Sequence, residues 1–272
     1  MYYFKPLDPK DVSPRALVLS LMSSAFSAPQ SIGRLIDAAA LFDIEPATLR
    51  VAVTRLLKEG LLESPGRGVY QPGPNSRALT RRVQGWKDVS SRIVPWKGDW
   101  LVAMTGHLGR TDRKQLRARE RALGLSGYKE TKSSYWVRPA NLARELDDHR
   151  ADLIGIGADD AISILRVTER ALPNSERWET LWRTEDLART YKAATEAMTA
   201  SLERLPNLPK DIAARESLLI GQAVIRTINF DPMLPPGLSD QDAFLRMVDT
   251  MVRYNETGRK CWQAYYASME TS

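Results

Sequence analysis

Thr48, Arg50, Val51, Thr54, Arg55 and Lys58 fall on one side of a single amphipathic stretch, and their chemistry suits the edges of DNA bases. Arginine bonds guanine through two donors, threonine serves bases or phosphates, and a methyl-bearing side chain such as valine touches thymine. The other side of the same stretch carries Leu49, Val53, Leu56 and Leu57 at i, i+4, i+7 and i+8, an apolar stripe turned to a core. The exposed side has no acid, where short surface helices ordinarily mix Glu with Lys. Arg67 follows at the tip of a Gly-rich turn, placed to meet the DNA backbone or minor groove. A solvated helix face is the plain alternative, and the turn that follows favours DNA over it.

A second set of cations, Arg110, Arg113, Lys114, Arg117 and Arg121, recurs at i, i+3, i+4, i+7 and i+11. That spacing makes one basic stripe on a helix, open to solvent or to DNA phosphates. Trp96, Trp100, Trp136, Trp178, Trp182 and Trp262 are large apolar groups that serve more often as core or interface anchors than as ligand contacts. Catalytic constellations are missing: there is no GxSxG elbow and no Cys–His pair. His107 and His149 lie far apart, and neither belongs to a metal-binding spacing. Cys261, the single cysteine, allows no internal disulfide and reads as a partly buried apolar residue. The expectation is a protein that is not an enzyme and holds neither metal nor cofactor.

These side chains need scaffolds. Ser13 caps and Pro14 opens a first helix whose Leu17, Leu19, Leu21 and Met22 suit burial. Two amphipathic helices flank the link 42–45, with Asp43 or Glu45 to cap the second and Gly60 to stop it. Segments 61–63 and 69–71 pair as a hairpin around 65–68. Helix, turn, helix and hairpin amount to a winged helix-turn-helix. With a basic connector helix over 76–89 (Arg77, Arg81, Arg82, Lys87), it fills an N-terminal domain over 1–90.

Beyond it, a strand at 100–105, a helix at 111–123, strands at 128–131 and 134–138, a helix at 141–149 and a strand at 162–168 are predicted. Their β-α-β-β-α-β order is that of a ferredoxin-like fold, here a middle domain over 91–172. Segment 152–157 reads as a short extended insertion, and its glycines belong to no nucleotide-binding loop. The rest, 173–272, is a helical domain for dimerisation and effector response. Its helices are predicted at 183–202, 211–227 and 239–269, the last with a break at Gly258. The fold class is α+β.

Net charge is +6 over 272 residues, and it is unevenly spread: 1–150 carry +10 and 151–272 carry −4. A basic front half favours a polyanionic partner through phosphate contacts and counterion release. No apolar run approaches a membrane span, and the start, with Pro6, Asp8, Pro9 and Asp11, is unlike a signal peptide. A cytoplasmic location without a membrane partner is expected.

The chain resembles the PaaX family, the repressors of phenylacetic-acid degradation and their relatives. The resemblance rests on 44–60, on Gly66-Arg-Gly-Val-Tyr70, on 100–105 with Tyr135-Trp-Val-Arg-Pro139, on 181–191, and on the turn Asp231-Pro-Met-Leu-Pro-Pro236. It covers essentially the whole chain, with departures at a less basic wing and around Gly155 and Gly157. It implies a homodimeric transcriptional repressor on a palindromic double-stranded DNA operator, released by a small effector. In the name-giving members the effector is an aryl-acyl-CoA, phenylacetyl-CoA. It also implies that the middle domain is Cas2-like. Under this resemblance coenzyme A phosphates become a third partner for Arg110, Arg113, Lys114 and Arg117, and Trp136 and Trp182 are the indoles to line an aryl pocket. An effector-independent DNA-binding regulator is the alternative. A Cas2-like metal-dependent nuclease is another, but the first middle strand runs into Thr105-Gly-His-Leu-Gly109 without a carboxylate.

Overall fold

The computed structural model describes residues 4–22, 29–76, 85–173 and 176–270. It is a mixed α/β chain with two small antiparallel sheets and a helical C-terminal region. Its residues pack as two compact units, each assembled from separated stretches of sequence. One takes 4–87, 191–229 and the residues from 246 onward; the other takes 88–190 and 230–245. No described helix is long and apolar enough to cross a membrane.

The first of these units opens with helix α1 (Pro14–Ser20), where Ser13 Oγ accepts from the Ala16 amide at 3.2 Å. Ser31 does the same for α2 (Ile32–Ala40), accepting from Arg34 at 3.2 Å. The turn after α2 places Asp43 at φ +53°, a left-handed conformation that a short polar side chain tolerates. Helix α3 (Pro46–Lys58) then starts on Pro46, whose missing N–H costs nothing in a first turn. Neither carboxylate supplies the expected cap: Glu45 holds the N-cap position without a side-chain hydrogen bond. Gly60, at φ +66°, ends the helix as predicted.

A two-residue strand β1 (Gln30–Ser31), which no local pattern announced, pairs with β3 (Val69–Pro72). β3 also pairs with β2 (Leu62–Gly66), giving the order β1-β3-β2. After β3 the chain crosses the end of α3 at Gly73, where a Cβ would lie 2.4 Å from the Gly60 carbonyl oxygen; only glycine fits. The basic connector expected over 76–89 falls largely outside the described residues, and 85–89 form turns.

The core of this unit joins Leu17, Leu21, Leu35, Leu49, Val53, Leu56 and Leu62 to side chains from two later helices. Ala214 and Leu218 come from α7 (Lys210–Asn229), and Trp262, Tyr265 and Tyr266 from α8 (Gln241–Glu270). The polar ends of the tyrosines are used as well: Tyr265 donates to the Asp37 carbonyl at 3.0 Å and Tyr266 to that of Arg34 at 3.2 Å. Helix α8 runs unbroken through Gly258, contrary to the expected interruption. The glycine lets α7 approach closely, since a Cβ there would sit 3.3 Å from that of Ser217. Helix α6 (Thr184–Arg204) adds Ser201, buried between Glu216 at 2.6 Å and the Tyr254 hydroxyl at 2.9 Å.

The other unit is built on β4 (Trp100–Met104), helix α4 (Arg113–Leu125), β5 (Lys129–Glu130), β6 (Trp136–Pro139), helix α5 (Leu146–Gly155) and β7 (Ser163–Val167). The strand and helix order matches the predicted one, and the sheet runs β5-β6-β4-β7, antiparallel throughout. Leu101 and Ala103 face Ala122, Leu123 and Leu153 of the two helices. Trp100, by the alternation of a strand, faces the other way. Two expectations fail here. Segment 152–157 is not extended: it forms the last turns of α5 and its cap, with Leu153 buried in the core. Helix α5 also begins five residues later than predicted, because Asn141 is buried and its amide donates to the Met233 carbonyl at 2.7 Å.

Candidate nucleic-acid interface

Helix α3 sorts its residues as the periodicity required. Leu49, Val53 and Leu56 are buried and Leu57, the fourth of the apolar stripe, is half-buried against the same core, while Thr48, Arg50, Val51, Thr54, Arg55 and Lys58 are exposed, Val51 by 50% despite its apolar side chain. Thr54 Oγ1 donates to the Arg50 carbonyl at 2.9 Å, so towards a ligand it offers its methyl and acceptor lone pairs. Glu59, the nearest carboxylate along the chain, is held by Arg15 at 2.7 Å. Arg50, Arg55, Lys58 and Arg67 enter no ion pair among the described residues. The face is thus basic, partly apolar and uncompensated.

Arg67 is exposed at the tip of the β2–β3 hairpin, beside Gly68 at φ +71°. The tip is fixed to the helix pair, because the Ile32 amide donates to the Gly68 carbonyl at 2.8 Å. Gln71 donates to Glu63 across the strands at 2.6 Å. Arg67 and the α3 residues therefore belong to one bonded assembly of helix pair and hairpin.

The residues assigned to an effector do not come together. Arg113, Lys114, Arg117 and Arg121 are exposed on α4, and Arg110 is exposed in the turn before it rather than on the helix. Trp136 pairs with Ala103 and packs on the helix-covered face of the sheet. Trp182 stacks on Trp100 at 6.0 Å, on the opposite face, where Trp96 and Trp178 also meet Trp100 edge-on at 5.4 Å. Arg170 covers this cluster, its guanidinium 5.0 Å from the Trp100 ring and 5.2 Å from the Trp178 ring. The indole N–H groups of Trp100, Trp178 and Trp182 are buried and meet no hydrogen-bond partner among the described residues.

Sequence reasoning passed over two buried cations of this unit. Arg138, 2% exposed, donates to the carbonyls of Ser126 at 2.6 Å and Pro232 at 3.3 Å. It thereby ties β6 to the 231–236 turn, two segments remote in sequence. Burial pulls its pKa down to about 10, opposed by Tyr128. Arg119, turned inward from α4, bonds Asp159 at 2.6 Å. His149 is buried on α5, and burial, followed by the nearby Arg138, Arg144 and Arg166, pushes its pKa down to about 3. Among the described residues no group of three or more His, Cys, Asp or Glu side chains is gathered to hold a metal ion.

No protein-family model matches the chain, and no curated protein matches it. Among solved structures the chain is similar to the uncharacterized protein Rv0674 from Mycobacterium tuberculosis. The two share 22% identity and a TM-score of 0.65, over 93% of this chain and 99% of that one. At that identity the likeness shows a shared mixed α/β fold over nearly the whole chain.

Proposed function

We propose that this protein is a DNA-binding transcriptional repressor of the PaaX type. In this reading α2, α3 and the hairpin form a winged helix-turn-helix, and the β4–β7 unit is a ferredoxin-like, Cas2-like domain. A cytoplasmic homodimer holds a palindromic operator and leaves it when an aryl-acyl-CoA such as phenylacetyl-CoA binds. The carrying observation is the outward face of α3. It sets arginine donors, threonine methyls and an exposed valine side by side, with no carboxylate among them and Arg67 on the adjoining hairpin. Such a face offers a major groove both hydrogen bonds to purines and methyl contacts to thymine.

The test starts from a duplex selected by the protein out of a randomised pool. Arg55→Ala is expected to weaken that duplex by roughly 5- to 150-fold, the worth of one arginine–guanine pair, and to change random duplex far less. Equal losses on both make Arg55 a phosphate contact and overturn base reading by α3. Phenylacetyl-CoA is expected to lower the affinity of the unmodified protein for the selected duplex.

A further inference from the structure

Helix α4 carries cations that its own unit leaves unanswered. On a helical wheel Arg113, Arg117, Arg121 and Lys114 fill an arc opposite Arg119, Ala122 and Leu123, which are buried. Arg110 extends the same charge into the preceding turn, which Arg119 pins by donating to the Gly109 carbonyl at 3.0 Å. None of the five enters an ion pair among the described residues. Elsewhere in the unit Arg119, Arg144, Arg166, Arg170, Arg183 and Arg189 each hold a carboxylate. Arg138 and Arg150 are committed to carbonyls. The carboxylates nearest the stripe do not neutralise it. Asp112 accepts from the Lys114 and Gln115 amides as the helix cap, and Glu120, at the stripe's edge, pairs with none of its cations.

We propose that the α4 stripe is a second nucleic-acid contact, one that binds the phosphate backbone of duplex DNA. From Arg113 to Arg121 the helix rises about 12 Å. Over that length a duplex presents roughly seven phosphate charges. Charge is complementary, and nothing else on this face is. On the helix itself it has no exposed apolar side chain and no hydroxyl among the cations to tell one base from another; Thr111 lies in the turn before it. The stripe therefore adds affinity without sequence preference. This inference rests on the reading of the chain as a duplex-binding protein.

The test measures duplex affinity against salt for the full chain, for Arg113→Gln with Arg117→Gln, and for Arg55→Ala. Losing two phosphate contacts is expected to make the log–log salt slope shallower by about 1.8, and to weaken selected and random duplexes by the same factor. Unchanged thermal stability of the double variant ties the change to the surface. If the double variant keeps the original slope while Arg55→Ala loses specific binding, the stripe proposal falls and the repressor reading stands. If the unmodified chain binds no duplex even at low salt, both fall. Retention of free coenzyme A that is lost in the double variant, with the DNA slope intact, makes the stripe a ligand seat and overturns the proposal.

Discussion

Helices α3 and α4 are each thirteen residues long, and each turns cations outward, yet they differ on both faces. The outer face of α3 mixes Arg and Lys with Thr and an exposed Val, whereas that of α4 repeats one chemistry, positive charge. A mixed face can tell one base pair from another; a uniform one can only count phosphates. The inner faces differ in parallel. Helix α3 rests on aliphatic side chains continuous with the aromatic end of α8, while α4 sinks Arg119 against Asp159 inside a unit that also buries Arg138 and His149. Base reading requires a helix held rigidly in register, and close apolar packing does that without titratable groups. Backbone contact, the role proposed for α4, tolerates a looser geometry, which a scaffold latched by charges can supply.

The sharpest way to break this contrast is to hollow the support of α3. Leu56 has no solvent exposure, and Leu56→Ala is expected to cost about 2–5 kcal/mol, read as a fall in the urea midpoint at constant slope. A loss under about 1 kcal/mol would mean that the site collapses to fill the gap, and that the packing beneath α3 is not rigid.

Acid divides the helices next. His149 has its pKa pushed from 6.5 down to about 3, so between those values the unfolded chain binds the proton and the folded chain refuses it. Its stability contribution is therefore complete above pH 6.5 and drains away below, by about 1.4 kcal/mol for each pH unit. The Arg119–Asp159 pair, whose hydrogen bond holds the carboxylate below 3.8, begins to weaken only under that lower pH. Amide protection in α4 and α5, referred to the intrinsic exchange rate at each pH, is expected to fall from pH 6.5 to 5.5 while that of α3 changes little. His149→Leu, with no proton to take up, is expected to flatten the dependence. A profile of the same steepness in that variant would move the acid response to another group.

What could be read from the chain follows the range of the forces involved. Both faces of α3 were legible because a 3.6-residue period is local, and so was the strand and helix order from 100 to 168. Helix α5 was misplaced because Gly155 and Gly157 resemble loop residues. Only the fold shows that Leu153 enters the core and that Asn141 is claimed by Met233. Tyr265 and Tyr266 announce burial but not where. Their destination is α2, more than two hundred residues earlier, and no local pattern encodes it. The same holds for Arg138, which the sequence places on a strand while its partner in the 231–236 turn lies some ninety residues later. Trp136 and Trp182 were paired by residue type, and the sheet runs between them.

The smallest effect concerns Arg67, which belongs to the unit of α3 but resembles α4 in its chemistry. It stands between Gly66 and Gly68 at a hairpin tip, so neither chain neighbour has a side chain to share a base edge, and its bonded frame leaves it little freedom to seek one. Arg67→Ala is expected to make the salt slope shallower by about 0.9, one phosphate's worth, and to leave the ratio of selected to random binding unchanged. If the ratio instead falls as far as in Arg55→Ala, the hairpin reads bases. Neighbouring chemistry would then not be what separates a reading cation from a gripping one, and the distinction between the α3 and α4 faces would need another cause: the shape of the groove each cation enters.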